Sequence, residues 1–477
     1  MPLPASPPAP VERLADDDIT TAVERFIFTK KGMAAPLIEV VTHDGIVELT
    51  GFAGTLLERE RATALAQAVR GVRGVINEVI IRAPDVPDPA LRSAVDAALA
   101  RDPATTGYNV RCHASCGEVT VEGAVQSWAE QQLVLQALRG VRGVTAIHNK
   151  LDVHRGEITN SDSEITVQIR ELLNWDIRVQ SELVSIRTAH GVVHLAGTVG
   201  TPAERDFAVA TAYQAGATHV NARDLFVARW ALDKSLRREK FVRRADEDVA
   251  QAVRDALRLD PRVRAFGPTV RVRDGVATLA GAVSNLLAQQ AAERDAENIV
   301  GVREVHNLLQ VATHYPAPDA ATQQHIKAAL ACDAYVSPYA FTVNVSNGKV
   351  QLYGTVNTHF EQERAADVAA SVAGVVTLDN HVQHGPAATP AARRSGAAGH
   401  PEPDHALEQR LRNHYYWSAL LHDQDLDIRV REGRVTLIGT VDTHWQRRIA
   451  AQQARACGAR DVNNHLRLAA WGRGGPC

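Results

Sequence analysis

A seven-residue pattern, Gly-x-Val-x-Leu-x-Gly, recurs six times with conservative replacements, and this recurrence constrains the fold more than any other feature. It reads Gly45-Ile-Val-Glu-Leu-Thr-Gly51, Gly117-Glu-Val-Thr-Val-Glu-Gly123 and Gly191-Val-Val-His-Leu-Ala-Gly197. It returns as Gly275-Val-Ala-Thr-Leu-Ala-Gly281, Gly348-Lys-Val-Gln-Leu-Tyr-Gly354 and Gly433-Arg-Val-Thr-Leu-Ile-Gly439. The first glycines lie 72, 74, 84, 73 and 85 residues apart. Another glycine follows each after 25 or 26 residues: Gly71, Gly143, Gly216, Gly301, Gly374 and Gly458. Six residues beyond it stands Asn77, Asn149, Asn307, Asn380 or Asn464, while Asn221 of the third repeat comes one place early. A chain of 477 residues is too long for one core. The period makes it a set of like units, each near the lower size limit for folding alone.

Each unit opens with a helical pattern, clearest over Asp246 to Leu259, where Val249, Val253, Ala256 and Leu257 share a face. Alternation such as Phe341, Val343, Val345 predicts a strand next. The position five before each first glycine is apolar: Val40, Cys112, Ile186, Val270, Val343 and Ile428. Asp44-Gly45, Asp274-Gly275 and Asn347-Gly348 supply the positive-φ pair of a tight hairpin, and the Val-x-Leu run is its second strand. Four places past the second glycine stands a helix cap: Thr55, Ser127, Thr201, Asn285, Thr358 or Thr443. Glu58, Glu130, Glu204, Glu361 and Gln446, three further on, predict capping boxes in five repeats. The helix that follows carries a narrow face of small residues, Ala62, Ala66 and Val69 in the first repeat and Ala365, Ala369 and Val372 in the fifth. Such a face lets a helix lie close on a sheet, and a last strand such as Val305 to Val311 closes the unit. The expected class is α+β: tandem αββαβ units, each a three-stranded mixed sheet with two helices on one face.

The units span residues 16–82, 89–153, 161–227, 245–311, 319–383 and 404–468. Residues 229–244 form a basic linker, with seven basic and two acidic residues around Trp230, Leu232, Leu236, Phe241 and Val242. Residues 385–403 have the composition of a flexible tether.

The balance of 52 basic against 55 acidic residues argues against a nucleic-acid partner. No apolar run is long enough to span a membrane. Met1 to Pro10 lacks the basic and apolar regions of a secretory signal, so a cytoplasmic location is expected. Five scattered cysteines exclude a disulfide framework and fit a reducing compartment. Cys112, Cys332 and Cys457 fall at core positions, whereas Cys116 on a hairpin tip and Cys477 are expected to be exposed. The 19 histidines show no HExxH and no zinc-like spacing with cysteine. Neither a Gly-x-Ser-x-Gly elbow nor a phosphate loop is present. No metal, cofactor or catalysis is expected.

The glycine-framed hairpin, the capped Ala-rich helix and the Gly-Val-x-x-Val-x-Asn close resemble the BON domain (bacterial OsmY and nodulation), here in six tandem copies. The resemblance implies a non-catalytic protein associated with phospholipid surfaces under osmotic or envelope stress, commonly in the periplasm. Directly after the caps come Leu56-Leu57, Trp128, Leu286-Leu287, Phe360 and Trp445. Two readings apply: buried staples, or anchors at exposed helix starts that enter the lipid interface. Arg59, Arg205, Arg364, Arg447 and Arg448 lie nearby for lipid phosphates, and helix N-termini attract anions. The basic linker reads either as a solvated helix face or as an interfacial amphipathic segment. The candidate lipid-binding residues are thus Leu57, Trp128, Leu287, Phe360, Trp445, Trp230, Lys234, Arg237, Arg238 and Lys240. The expected partner is an anionic phospholipid surface, with other envelope or stress proteins as a further class. A cytoplasmic sensor of a small ion such as potassium, and an adaptor recruiting proteins through strand edges, are the alternatives.

Overall fold

The turn of the hairpin organises each unit. The computed structural model describes residues 14–29, 37–101, 103–154, 161–233, 236, 240, 244–264, 267–312, 318–384 and 403–469. In it, Asp44, Cys116, His190, Asp274, Asn347 and Glu432 hold φ between 50° and 53°, and the glycine after each also has positive φ. Two successive left-handed residues give the turn whose twist matches the flanking strands. The hairpin strands pair antiparallel, with Val40 opposite Leu49 in repeat one and Ile428 opposite Leu437 in repeat six.

The second hairpin strand is central in every sheet, because the closing strand pairs with it in parallel. Parallel pairing needs a crossover, and the second helix supplies it. These helices are Leu56–Gln67, Trp128–Arg139, Pro202–Gln214, Leu286–Glu297, His359–Ala370 and His444–Ala456. The first helices are Asp16–Thr29, Asp88–Arg101, Asp162–Trp175, Asp246–Leu259, Asp319–Cys332 and Asp404–Trp417. The αββαβ order of an α+β unit is thus present six times. Two repeats vary it. The closing strand of repeat one is split into Gly74–Asn77 and Ile80–Ile81. That of repeat three shifts register between Asn221 and Asp224, a bulge that accommodates the early asparagine.

Each repeat has its own apolar core. The small-residue faces of the second helices are buried as expected, with Ala62, Ala66, Ala365 and Ala369 all at 0% exposure. Cys112 and Cys457 are buried and Cys116 is exposed, whereas Cys332 is only half-buried at the end of its helix. Cys477 lies outside the described residues.

The repeats are not a loose string. The end of a second helix in one unit exchanges two backbone hydrogen bonds with the end of a first helix in another, and does so three times. Arg70 N–H donates to Trp417 O and Ala419 N–H to Ala68 O, joining repeats one and six at 2.8 and 2.9 Å. Arg142 to Cys332 and Ala334 to Gly140 join two and five; Val300 to Trp175 and Ile177 to Asn298 join four and three. Second helices also meet across repeats one and three, two and three, four and five, and five and six. Ion pairs Arg139–Glu60 and Arg448–Glu297 tie one to two and four to six. Each unit therefore docks against several others.

Candidate functional site

Every second helix starts on a side-chain cap. Thr55, Ser127, Thr201, Asn285, Thr358 and Thr443 each accept the N–H of the residue three places on. Reciprocal capping boxes form at Thr358–Glu361 and Thr443–Gln446. In all five repeats that carry one, the glutamate or glutamine also reaches one residue further back. Glu58, Glu130 and Glu204 accept the N–H of Gly54, Gln126 and Gly200 at 2.6, 2.6 and 2.8 Å. Donors that would attract a phosphate are thus partly occupied by protein oxygens, and the carboxylates add negative charge.

The large groups after the caps do not stand free, which corrects the expectation of exposed helix starts. Leu56 is buried in the core of repeat two, and Leu57 packs against the core of repeat five. Trp128 stacks on Tyr213 of repeat three with ring centres 5.6 Å apart. Phe360 meets Tyr335 edge-on at 4.8 Å and lies under the Arg61 guanidinium of repeat one at 3.6 Å. Trp445 contacts Phe207 of repeat three edge-on at 6.1 Å. Leu287 is half-buried. The physical reason is that each unit must cover the open end of its helix layer, and a neighbouring unit covers it here. Three of the five nearby bases are also engaged: Arg364 pairs with Asp333 at 2.8 Å, Arg448 with Glu297, and Arg205 donates to Ala222 O at 2.9 Å.

The basic linker divides. Trp230 is 48% exposed. Lys240 is buried, contrary to expectation, and its Nζ donates to Leu173 O and Val179 O. A lysine placed there satisfies a carbonyl at the C-terminal end of a first helix, where positive charge is favoured. Lys234, Arg237 and Arg238 lie outside the described residues.

The junction of repeats three and four carries the densest buried charge. Arg178 Nε donates to Asp176 Oδ1 at 2.9 Å, and Arg262 Nε donates to Asp260 Oδ1 at 2.9 Å. Burial opposes ionisation of Asp176, yet the Arg178 guanidinium outweighs it and holds the carboxyl below the usual range. Asp295 has no such partner. Burial, with the Asp260 carboxylate beside it, holds Asp295 well above the usual carboxylate range. Native Asp295 thus keeps a proton that the unfolded chain releases near pH 4, and stability falls as pH rises from about 4 up through the raised native pKa. Asp295→Asn removes this slope. Its melting-temperature advantage over the parent is expected to be larger at pH 8 than at pH 5; an advantage independent of pH would refute the assignment. Cys112 is likewise pushed up to about 11 by burial, which makes it a poor nucleophile. Among the described residues no group of histidine, cysteine and carboxylates could hold a metal.

One recurring residue escaped the reading of the sequence. Asp16, Asp162, Asp246, Asp319 and Asp404, at the start of the first helices, each accept both N–H groups of the hairpin turn. Asp88 accepts the N–H of Cys116 at 2.8 Å. The signal was present: an aspartate stands 29 residues before the first glycine of every repeat. The recurring asparagine is explained too. Asn307 donates to Gln289 O of the second helix at 2.9 Å and accepts the Leu309 N–H, stapling helix to closing strand.

Six mutually docked αββαβ units of this kind define a tandem-repeat protein built from one small module. The chain belongs to the BON domain family, whose model matches residues 15–83, 87–155, 161–225, 245–313, 318–386 and 403–470. It is similar to osmotically-inducible protein Y of Escherichia coli (strain K12), with 32% identity over 124 residues. That match covers 25% of this chain and spans 62% of the length of that relative. Among solved structures, CdsD, a structural protein of the Type III secretion system of Chlamydia trachomatis, matches with 15% identity and a TM-score of 0.12. It covers 48% of this chain and 99% of that one. The C-terminal domain of CdsD matches with 14% identity and a TM-score of 0.12, covering 45% of this chain and 100% of its own. At these scores neither likeness carries an argument. No helix among the described residues is long and apolar enough to cross a membrane.

Proposed function

We propose that the protein is a non-catalytic binding protein that associates with anionic phospholipid surfaces in the osmotic-stress response. The observation that carries this reading is an exposed apolar sheet face on repeat one. Val41, Ile46, Ile76 and Ile80 are all exposed, Ile80 at 60%, on the side of the sheet away from its helices. Register places Val41 opposite Glu48 and Glu48 opposite Ile76, and exposed Glu39 lies on the same face opposite Thr50, so the aliphatic groups form a patch interrupted by two acids. Arg82 lies over the Phe52 ring at 3.3 Å beside Ile80, and Arg73 is exposed at the turn end. Exposed apolar area rimmed by arginine suits an interface with anionic headgroups. Similarity to an osmotically inducible protein supports the setting. Trp230 supplies a second exposed aromatic.

This reading relocates the contact from the helix starts, which neighbouring repeats cover, to the outer sheet face. Flotation of the full chain with phosphatidylglycerol-containing and pure phosphatidylcholine vesicles tests it. Binding is expected only to the former and should weaken with salt. Ile46→Glu together with Ile76→Glu should abolish it, while Trp128→Ser should leave it unchanged. Equal binding to both vesicles, or none, would refute the reading. Loss in Trp128→Ser alone would return the contact to the helix starts in an opened assembly.

A further inference from the structure

A cavity of about 910 Å³ lies where repeats two, three and four meet, away from the proposed surface contact on repeat one. Its walls are Trp128, Leu133, Leu172, Trp175, Phe207 and Leu259, an apolar and aromatic lining drawn from all three repeats. Its volume falls within the range of pockets that enclose small molecules. Two polar atoms among the lining residues set its chemistry. Asp295 Oδ2 and Asn298 Oδ1 are buried without a hydrogen-bond partner. An unpaired buried acceptor is costly, and both of these ask for an N–H or O–H donor.

Charge narrows the ligand further. The three lining arginines are matched by acids within the same lining, Arg178 by Asp176, Arg262 by Asp260 and Arg258 by Asp255. Set against Arg244 over Trp175, Glu164 and Glu171 still leave the cavity lining with an excess of acids. Its aromatic walls already attract cations, since Arg178 lies over Phe207 at 4.0 Å and Arg244 over Trp175 at 5.4 Å. A carboxylate or phosphate ligand would meet both the acids and the two orphan acceptors.

We infer that this cavity is a binding site for an organic amine, with its N–H groups donated to Asn298 Oδ1 and to the unpaired Oδ2 of the neutral Asp295 acid, and its apolar body against Trp128, Trp175 and Phe207. The site exists only in the docked assembly, so occupancy would hold repeats two, three and four together. It stands independently of the lipid reading.

Titration of the full chain by intrinsic tryptophan fluorescence tests the inference, because Trp128 and Trp175 line the cavity. The probes are 4-phenylbutylamine, the neutral 4-phenylbutan-1-ol and the anionic 4-phenylbutyrate. Saturable binding of the amine is expected, with the carboxylate at least about tenfold weaker. Asn298→Leu should weaken the amine about tenfold without lowering the melting temperature, since it removes an unpaired acceptor. Val167→Trp, at a lining position that is 48% exposed, should fill the mouth and abolish binding. Equal affinity for amine and carboxylate overturns the inference, as does the absence of saturable binding. Amine affinity unchanged in both variants also overturns it. The comparison of probes on the parent chain stands even where a variant fails to fold.

Discussion

Replacing Gly439 with alanine is expected to unfold repeat six. The glycine holds φ +135°, and an added Cβ would sit 1.9 Å from the carbonyl oxygen of Asp425. That oxygen belongs to the first residue of the opposing hairpin strand, which is held by pairing along its whole length. Neither side can move without breaking the ladder, so positive-φ strain and backbone overlap add. A loss of about 3 kcal/mol or more follows from the two together. A unit of this size has little to lose, so that loss is enough to unfold it. Gly281 is the built-in control: its φ is +132°, but the nearest atom to an added Cβ is Pro268 Cα at 3.5 Å. Gly281→Ala should therefore cost only the dihedral strain, roughly 1–3 kcal/mol. Thermal melts read by circular dichroism, with limited proteolysis to place the unfolded repeat, check the order. Equal losses at the two glycines would show that backbone overlap is not what these positions avoid.

The turn glycines at the other end of the same motif, Gly45, Gly275 and Gly348, show what can be read from the chain alone. Spacing and turn chemistry reveal the hairpin, because Asp-Gly and Asn-Gly are local signals with a local cause. The caps are equally local, and all six fall where Thr55 and its counterparts predict. Reciprocity of the boxes is not, because a glutamate at the third position can reach the N–H at Gly54 as readily as the one at Thr55. The aspartate that accepts the turn N–H groups went unseen although it keeps a fixed distance, since its partner lies across the unit rather than within its helix. Docking was least accessible. Repeats one and six meet through Val69 and Ser418, whose separation exceeds any periodicity in the pattern. Trp128 and Trp445 therefore read equally well as exposed anchors or buried staples, and the structure makes them contacts between units. Lys240 misled for a related reason. A charge in a basic run looks solvated until the carbonyls that bind it, far back in the chain, are placed beside it.

The Arg178–Asp176 pair allows the docking of units to be separated from their folding. Asp176 lies in the backbone bridge between repeats three and four, opposite Ile299, and its side chain is 15% exposed. Arg178 covers that carboxylate with two parallel contacts and spreads over Phe207. Its removal leaves a carboxylate that burial disfavours, with the Lys240 ammonium, already bound to backbone carbonyls, offsetting only part of the lost charge. Arg178→Ala is expected to cost about 3–5 kcal/mol, as for other buried pairs broken on one side. Lysine should rescue little, because a single ammonium cannot reproduce the planar fork. The double replacement Asp176→Leu with Arg178→Met should recover much of the loss, since it removes both desolvated charges and keeps the volume. The cores of repeats three and four are separate, so secondary structure should survive in Arg178→Ala while their mutual protection is lost. Hydrogen exchange at Ile177 and Val300, the two bridging amides, reads that protection directly. Faster exchange at both, with unchanged exchange in the central strands Val192–Val199 and Val276–Val283, is the expected result. Loss of protection in those strands as well would mean that the repeats fold as one cooperative body, with docking inseparable from the fold of each unit.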